Sequence, residues 1–228
     1  MKKFASFVFI CTSFAVISNA QTHARPRPKS TPAIVPVKSG VDKGSISGRT
    51  YTNETFRFEV TFPDTWLIPG DDFEDFMKSK GIDLSLKAPD SLPPASRAKI
   101  NSALQRVTIL ATAYRSMPGT AGNAIVRISV EDLSANPQIK DAVDYFDAMR
   151  ASFAAMRLPA DLKYSETQAE KLGVQQFGFL DVTTKDGKKR MYATVRNGYA
   201  IMFTLTYSSD DDLATFRSAL AGGNFALK

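Results

Sequence analysis

Thiol and imidazole chemistry are missing from almost the whole chain. The single cysteine is Cys11 and the single histidine is His23, so nothing beyond residue 23 carries either side chain. That excludes Ser-His-Asp and Cys-His catalysis, zinc fingers, zincins, iron–sulfur clusters, disulfide exchange and His-ligated haem from the remainder. Long apolar runs are scarce too. Past the first twenty residues, no stretch approaches the roughly 18–20 apolar residues that span a bilayer. Nucleotide signatures are also lacking: Gly119 and Gly122 have neither phosphate-loop nor dinucleotide spacing, and no helical pattern follows them. What is present is ordinary. With 43% hydrophobic and 23% charged residues among 228, the chain suits one cored domain with appendages.

The first twenty residues read as an export signal. Met1-Lys2-Lys3 is a short positive segment, and Phe4 to Ile17 is apolar except for Ser6, Thr12 and Ser13. Ser18-Asn19-Ala20 matches the small-residue cleavage rule, which predicts a mature start at Gln21. Ile10 before Cys11 does not suit a lipoprotein cleavage site. Cleavage after Ala20 removes the only cysteine, so no disulfide is needed in an oxidising compartment. The expectation is an exported protein, periplasmic or extracellular.

Residues 21–48 read as a proline-rich basic linker. Pro26, Pro28, Pro32 and Pro36 favour extended backbone, and Ile34, Val35 and Val37 are its only apolar cluster. Arg25, Arg27, Lys29, Lys38 and Lys43 face one counter-charge, Asp42, over a stretch too sparse to form a dense basic patch.

Residues 49–228 carry the periodicities of a folded domain. Phe56 to Phe62 alternates apolar and polar residues, predicting a half-buried strand, and Trp66-Leu67-Ile68 predicts another. Further strands are expected at Arg106–Tyr114, Ala124–Glu131, Lys163–Glu170, Gln175–Thr184, Arg190–Arg196 and Tyr199–Tyr207. Asp186-Gly187 and Asn197-Gly198 are two-residue hairpin signals. A helix of about five turns is expected from Asn136-Pro137 through Met156, on the spacing of Ile139, Val143, Phe146, Met149 and Phe153. Ser209 followed by Asp210-Asp211-Asp212 opens a last helix, which Gly222-Gly223 stops. Shorter helices are expected near Asp72–Lys80 and Ala95–Leu104. Hairpin-linked strands interrupted by helices give an α+β fold, an antiparallel meander with helices packed on its faces.

Both ends of this domain carry a family pattern. Tyr51-Thr52-Asn53, Phe56-Arg57-Phe58 and Pro63-Asp64-Thr65-Trp66 resemble the Y-x-N, F-x-F, P-x-x-W entry of PsbP-like domains. Asn197-Gly198-Tyr199-Ala200, the acidic-capped helix and Phe225 are similar to that group's closing hairpin, helix and terminal aromatic. The resemblance implies an α/β/α sandwich. It also implies a binding or assembly role rather than catalysis, as for the photosystem II extrinsic subunit and the nuclear-import factor in that group.

Several clusters invite chemistry. Asp71, Asp72, Glu74 and Asp75 offer oxygen ligands suited to calcium or manganese, but lack EF-hand spacing and equally suit a helical first turn. Asp210–Asp212 has the same helix-start explanation. Lys185 to Arg190 forms a basic hairpin tip able to grip phosphate or an acidic partner, or simply to solubilise. Ser96-Arg97-Ala98-Lys99 matches the S-x-x-K motif, but its S-D-N and K-T-G companions are absent. Asn53-Glu54-Thr55 is a formal glycosylation sequon.

No catalytic, cofactor or metal residue is singled out. The leading expectation is an exported non-catalytic binding or accessory protein, its partner another exported or envelope protein, with no nucleic acid and no transmembrane span. The alternatives are a carboxylate-dependent divalent-metal binder or hydrolase using Asp71–Asp75, and a small-ligand carrier with a pocket between sheet and helix. The chain's net charge of +6 belongs to its first 50 residues, because residues 51–228 hold 21 basic and 22 acidic side chains.

Overall fold

A computed structural model describes residues 40–88, 92–156, 158–185 and 187–226. The signal at 1–20, the linker up to residue 39 and Asp186 of the expected turn lie outside them. Among the described residues two sheets form. The first joins β1 (Ser45–Ser47), β2 (Thr50–Asn53) and β3 (Phe58–Thr61). The second contains β4 (Val107–Tyr114), β5 (Ile125–Asp132), β6 (Lys163–Tyr164), β7 (Gln168–Leu172), β8 (Gln175–Thr184), β9 (Gly187–Arg196) and β10 (Tyr199–Tyr207). Its order is β4-β5-β10-β9-β8-β6, with β7 also on β8, and every pairing is antiparallel. The helices are α1 (Phe73–Ser79), α2 (Pro94–Leu104), α3 (Ala142–Ala154) and α4 (Asp210–Ala221). The α+β meander expected from the hairpin signals is the observed class.

Alternation along the central strands divides the core in two. In β10, Ile201, Phe203 and Leu205 point to the front face, and Ala200 and Met202 to the back. The front is covered by the small sheet, α4 and Phe225. There Phe203 meets Phe58 edge-on at 5.3 Å, and Phe177 meets Phe225 at 5.1 Å. The back is covered by Tyr145, Phe146, Met149 and Phe153 of α3. Gly178 permits that approach, since a Cβ there would lie 2.8 Å from the Ala142 Cβ. The β9–β10 turn takes positive φ at both Asn197 (52°) and Gly198 (76°), as the sequence predicted.

Several boundaries differ from expectation, each for a local reason. The linker does not run to residue 48, because Ser45–Ser47 pairs with β2 and Asn53 Nδ2 donates to the Asp42 carbonyl at 3.1 Å. Phe56 and Arg57 are in a turn rather than a strand: the Phe56 N–H donates to Asn53 Oδ1 at 2.8 Å, and Arg57 has φ 56°. Trp66–Ile68 contributes one bridge, Leu67 to Tyr114. The long helix starts at Ala142, not Asn136, because Asp141 is the residue that caps it, accepting from Val143 and Asp144 N–H groups at 2.8 and 2.9 Å. The strand expected at Lys163–Glu170 is split. Its two parts flank one extra residue opposite β8, since Tyr164 pairs with Val182 but Gln168 with Phe179.

One guanidinium ties the layers together. Arg196, in the last position of β9, donates through Nη1 to the Phe56 and Arg57 carbonyls at 3.2 and 3.0 Å. Its Nη2 donates to Gln175 Oε1 and to the Phe225 carbonyl, both at 2.8 Å. Arg196→Ala is expected to lower unfolding stability by about 2–4 kcal/mol, because four acceptors lose a charged donor. Arg196→Lys, lacking the planar fork, should recover only part of that. Urea unfolding checks both, and a loss under about 1 kcal/mol for Arg196→Ala would mean water replaces the clamp.

Candidate functional site

The two charge runs noticed in the sequence meet on the front face. Lys188 of the basic hairpin lies 3.2 Å from Asp210 at the start of α4, and its Nζ sits 5.9 Å above the Tyr207 ring. Ser209 caps α4 by accepting from the Asp211 N–H, which fixes the acidic turn beside the hairpin. Two residues along β9, Arg190 is the cross-strand partner of Asp181. Its Nε and Nη2 donate to the two carboxylate oxygens at 2.7 and 2.5 Å, a fork-on-carboxylate pair. The guanidinium lies 4.4 Å from the Phe179 ring centre, so the pair stands on an apolar floor. Two residues further, the Tyr192 hydroxyl donates to Glu170 Oε2 at 2.5 Å, while Arg217 of α4 pairs with Glu170 Oε1. A ladder of paired charges thus runs along β9 beside α4.

The Asp181 hydrogen bonds raise the Arg190 pKa above its ordinary range, against the opposing effect of burial. Burial first, and the hydrogen bond to Glu170 second, push the Tyr192 hydroxyl up to about 12. A fixed cation and a neutral phenol result, neither of them a nucleophile or base near neutral pH. Asp181, Glu170, Tyr192 and Arg217 were not read as candidates. Their signal is visible only once register is known, because Asp181 and Arg190 are nine residues apart and Glu170 and Arg217 far more.

A second polar group lies on the back face. Glu131 is 0% exposed, accepting from the Tyr145 hydroxyl at 2.9 Å and lying 3.4 Å from Arg106. Alternation along Val126-Arg127-Ile128-Ser129-Val130-Glu131 suggests a solvated polar side, but the face carrying Glu131 is roofed by α3.

The remaining sequence candidates do not converge. Asp71, Asp72, Glu74 and Asp75 are exposed, and among the described residues no three His, Cys, Asp or Glu side chains are placed to hold a metal ion. Asp212 is 3% exposed and pairs with Arg115 at 3.1 Å. Ser96 is buried in α2 while Lys99 is exposed. Asn53 is 0% exposed, with its amide committed to the Asp42 carbonyl and the Tyr51 hydroxyl. The folded sequon therefore offers no free amide for a glycan. Between α4 and the sheet, beside Val60, Trp66, Val126 and Phe216, the void is about 10 Å³. Ligand pockets run to roughly 300–1,000 Å³, so this interface is packed rather than hollow.

No family model matches the chain, and no curated protein matches it. Solved structures show a partial likeness. Cyanobacterial PsbP from Synechocystis sp. PCC 6803 matches at 16% identity and TM-score 0.40, over 79% of this chain and 97% of that one. A Bacteroides thetaiotaomicron protein matches at 11% identity and TM-score 0.36, over 80% of this chain and 50% of that one. A Pseudomonas aeruginosa protein of unknown function matches at 18% identity and TM-score 0.32, over 55% and 78% respectively. With TM-scores below 0.5, none of these likenesses bears on this chain's family or function.

Two predictions concern the ladder and two buried tyrosines, Tyr192 within it and Tyr51 of β2. Tyr192 and Tyr51 both have hydroxyls pushed up from 10 to about 12, with burial the largest cause in each. A group that holds its proton more tightly when folded contributes stability that is complete below its unfolded pKa and is lost as pH rises. Urea midpoints should therefore fall as pH rises from about 10 to 12, and the Tyr51→Phe/Tyr192→Phe variant should flatten that slope. The second prediction contrasts two cations. Arg190→Ala leaves Asp181 without its fork and should cost about 2–3 kcal/mol. Lys188→Ala, at an exposed pair, should cost less than about 0.5 kcal/mol. Equal losses in denaturant titrations would contradict the ladder's hierarchy.

Proposed function

We propose that the chain is an exported, non-catalytic binding or accessory protein whose partner is another exported or envelope protein. The observation supporting this reading is that the ladder's charges are closed against one another. Arg190 is spent on Asp181, Glu170 on Tyr192 and Arg217, and Lys188 on Asp210. A catalytic constellation would instead aim reactive groups at a common open point. The signal-like first twenty residues support export, and the near-neutral charge of residues 51–228 gives no electrostatic reason for nucleic-acid binding.

Affinity capture by the immobilised protein from envelope and secreted fractions is expected to return a specific partner that also binds when purified. Return of no specific protein, lipid or polymer counts against the reading. Calorimetric titration with calcium and manganese is expected to be flat at millimolar metal. Saturable heat abolished by Asp72→Asn/Glu74→Gln would instead favour the carboxylate-dependent alternative.

A further inference from the structure

Arg127 breaks the apolar pattern of the sheet's back face. The register sets it between Thr112 of β4 and Thr204 of β10. Directly paired residues share a face, and Thr204 follows Ala200 and Met202 in two-residue steps, so all three side chains lie on the back. Tyr114, two residues past Thr112, and Ser129, two past Arg127, lie on it too. Along this cross-strand row Leu180 and Met191 belong to the cluster under α3, and Thr204, Arg127 and Thr112 continue it as polar groups.

These polar groups are uncommitted. Arg106, Arg115, Arg190 and Arg217 each hold a carboxylate, and Arg49 and Arg196 hold backbone carbonyls. Among the described residues Arg127 holds neither. The Tyr114 hydroxyl is its hydrogen-bonding neighbour, and Glu74 of α1, itself exposed, acts on it through charge alone. Burial lowers the Arg127 pKa, and those two groups only oppose the effect. A guanidinium drawn out of water without an anion destabilises a fold unless something offsets it. The group is not sealed: Arg127 is half-buried, and the side-chain atoms shut from solvent without a partner belong to Asn136, Arg150 and Asp212. The hydroxyls of Thr112, Ser129 and Thr204 have no hydrogen-bond partner among the described residues and are not sealed either.

We infer that this row is an anion site for a small aliphatic monocarboxylate, with Arg127 as the fork and the Tyr114, Thr112 and Thr204 hydroxyls as neutral donors. A planar guanidinium matches the two oxygens of a carboxylate. The Tyr114 oxygen accepts from Arg127, which leaves its own proton to point at a ligand, and burial keeps that proton on by raising the pKa. Charge selects a monoanion, because one cation beside Glu74 balances a single negative charge and not a phosphate dianion. Half-buried Ile109 and Ile125 flank the row on the same face, offering aliphatic surface to the ligand's tail.

Titration of the full chain with sodium butyrate at constant ionic strength tests this, read by thermal unfolding and by the arginine Nε–H resonances. Butyrate is expected to raise the unfolding midpoint and to move the Arg127 signal saturably, binding about fivefold more tightly than acetate. Arg127→Met deletes a half-buried charge, so it should unfold no more easily than the unaltered chain yet lose the response. Thr112→Val/Thr204→Val keeps the fork and the strand preference, and should weaken butyrate about tenfold. Glu74→Gln removes a competing charge and should tighten it about two- to fivefold. A static Arg127 signal overturns the inference, as does a butyrate response that survives both Arg127→Met and the double valine variant. Phosphate binding more tightly than butyrate, or acetate binding as tightly, overturns the ligand class. Partner capture does not enter these readouts, so failure here and failure of the proposed function are separable.

Discussion

The front layer of this fold is clasped at Arg196. Its guanidinium serves the carbonyls of Phe56 and Arg57 in the small sheet's turn, Gln175 at the start of β8, and the Phe225 carbonyl near the C-terminus. These groups come from three separate regions of chain, and none could satisfy the others. Burial first, and the nearby Arg57 charge second, lower the Arg196 pKa, yet arginine stays protonated in proteins and all five of its N–H groups remain donors. The front layer is therefore held by apolar contact over its area and by one polar clasp at its end. Arg49 does related work at the other end of the small sheet, donating to the carbonyls of Phe62, Pro63 and Trp66. Irregular backbone in both places is made acceptable by a planar cation rather than by more secondary structure.

The parts legible in the sequence were those decided within a few residues. Asn197-Gly198 sets its turn by conformational freedom, Ser209 caps α4 with its own hydroxyl, and the alternation of Tyr199–Tyr207 fixes both faces of β10. What was misread depended on partners far along the chain. Asn136-Pro137 looks like a helix start, but Asp141 wins because its carboxylate reaches two N–H groups that Asn136 does not. Phe56 has the pattern of a strand residue, but Asn53 captures its N–H and bends the chain. The burial of Glu131 has no signal in periodicity, which reports which face a residue is on and not what covers that face.

The candidate site was legible only in pieces. Lys188 and Asp210 were each visible as members of charge runs, and their meeting follows from α4 leaving β10 beside the β9 hairpin. The inner rungs had no such signal, since a lone Asp181 or Glu170 in a strand is unremarkable until register sets it against Arg190 or Tyr192. Their closure changes how the surface charge is understood. Much of what composition counts as ionic is neutralised pairwise on the front face, so the field that an approaching molecule meets is weaker than the residue count suggests.

Phe225, finally, bears on the order of folding. Its ring packs against Phe58, Phe177 and Phe203, and its carbonyl receives Arg196, so the small sheet, the large sheet and the segment after α4 must meet before the front face closes. Contacts of such sequence separation carry a loop-closure cost that the β8–β10 hairpins do not, which makes closing this face the slow part of folding.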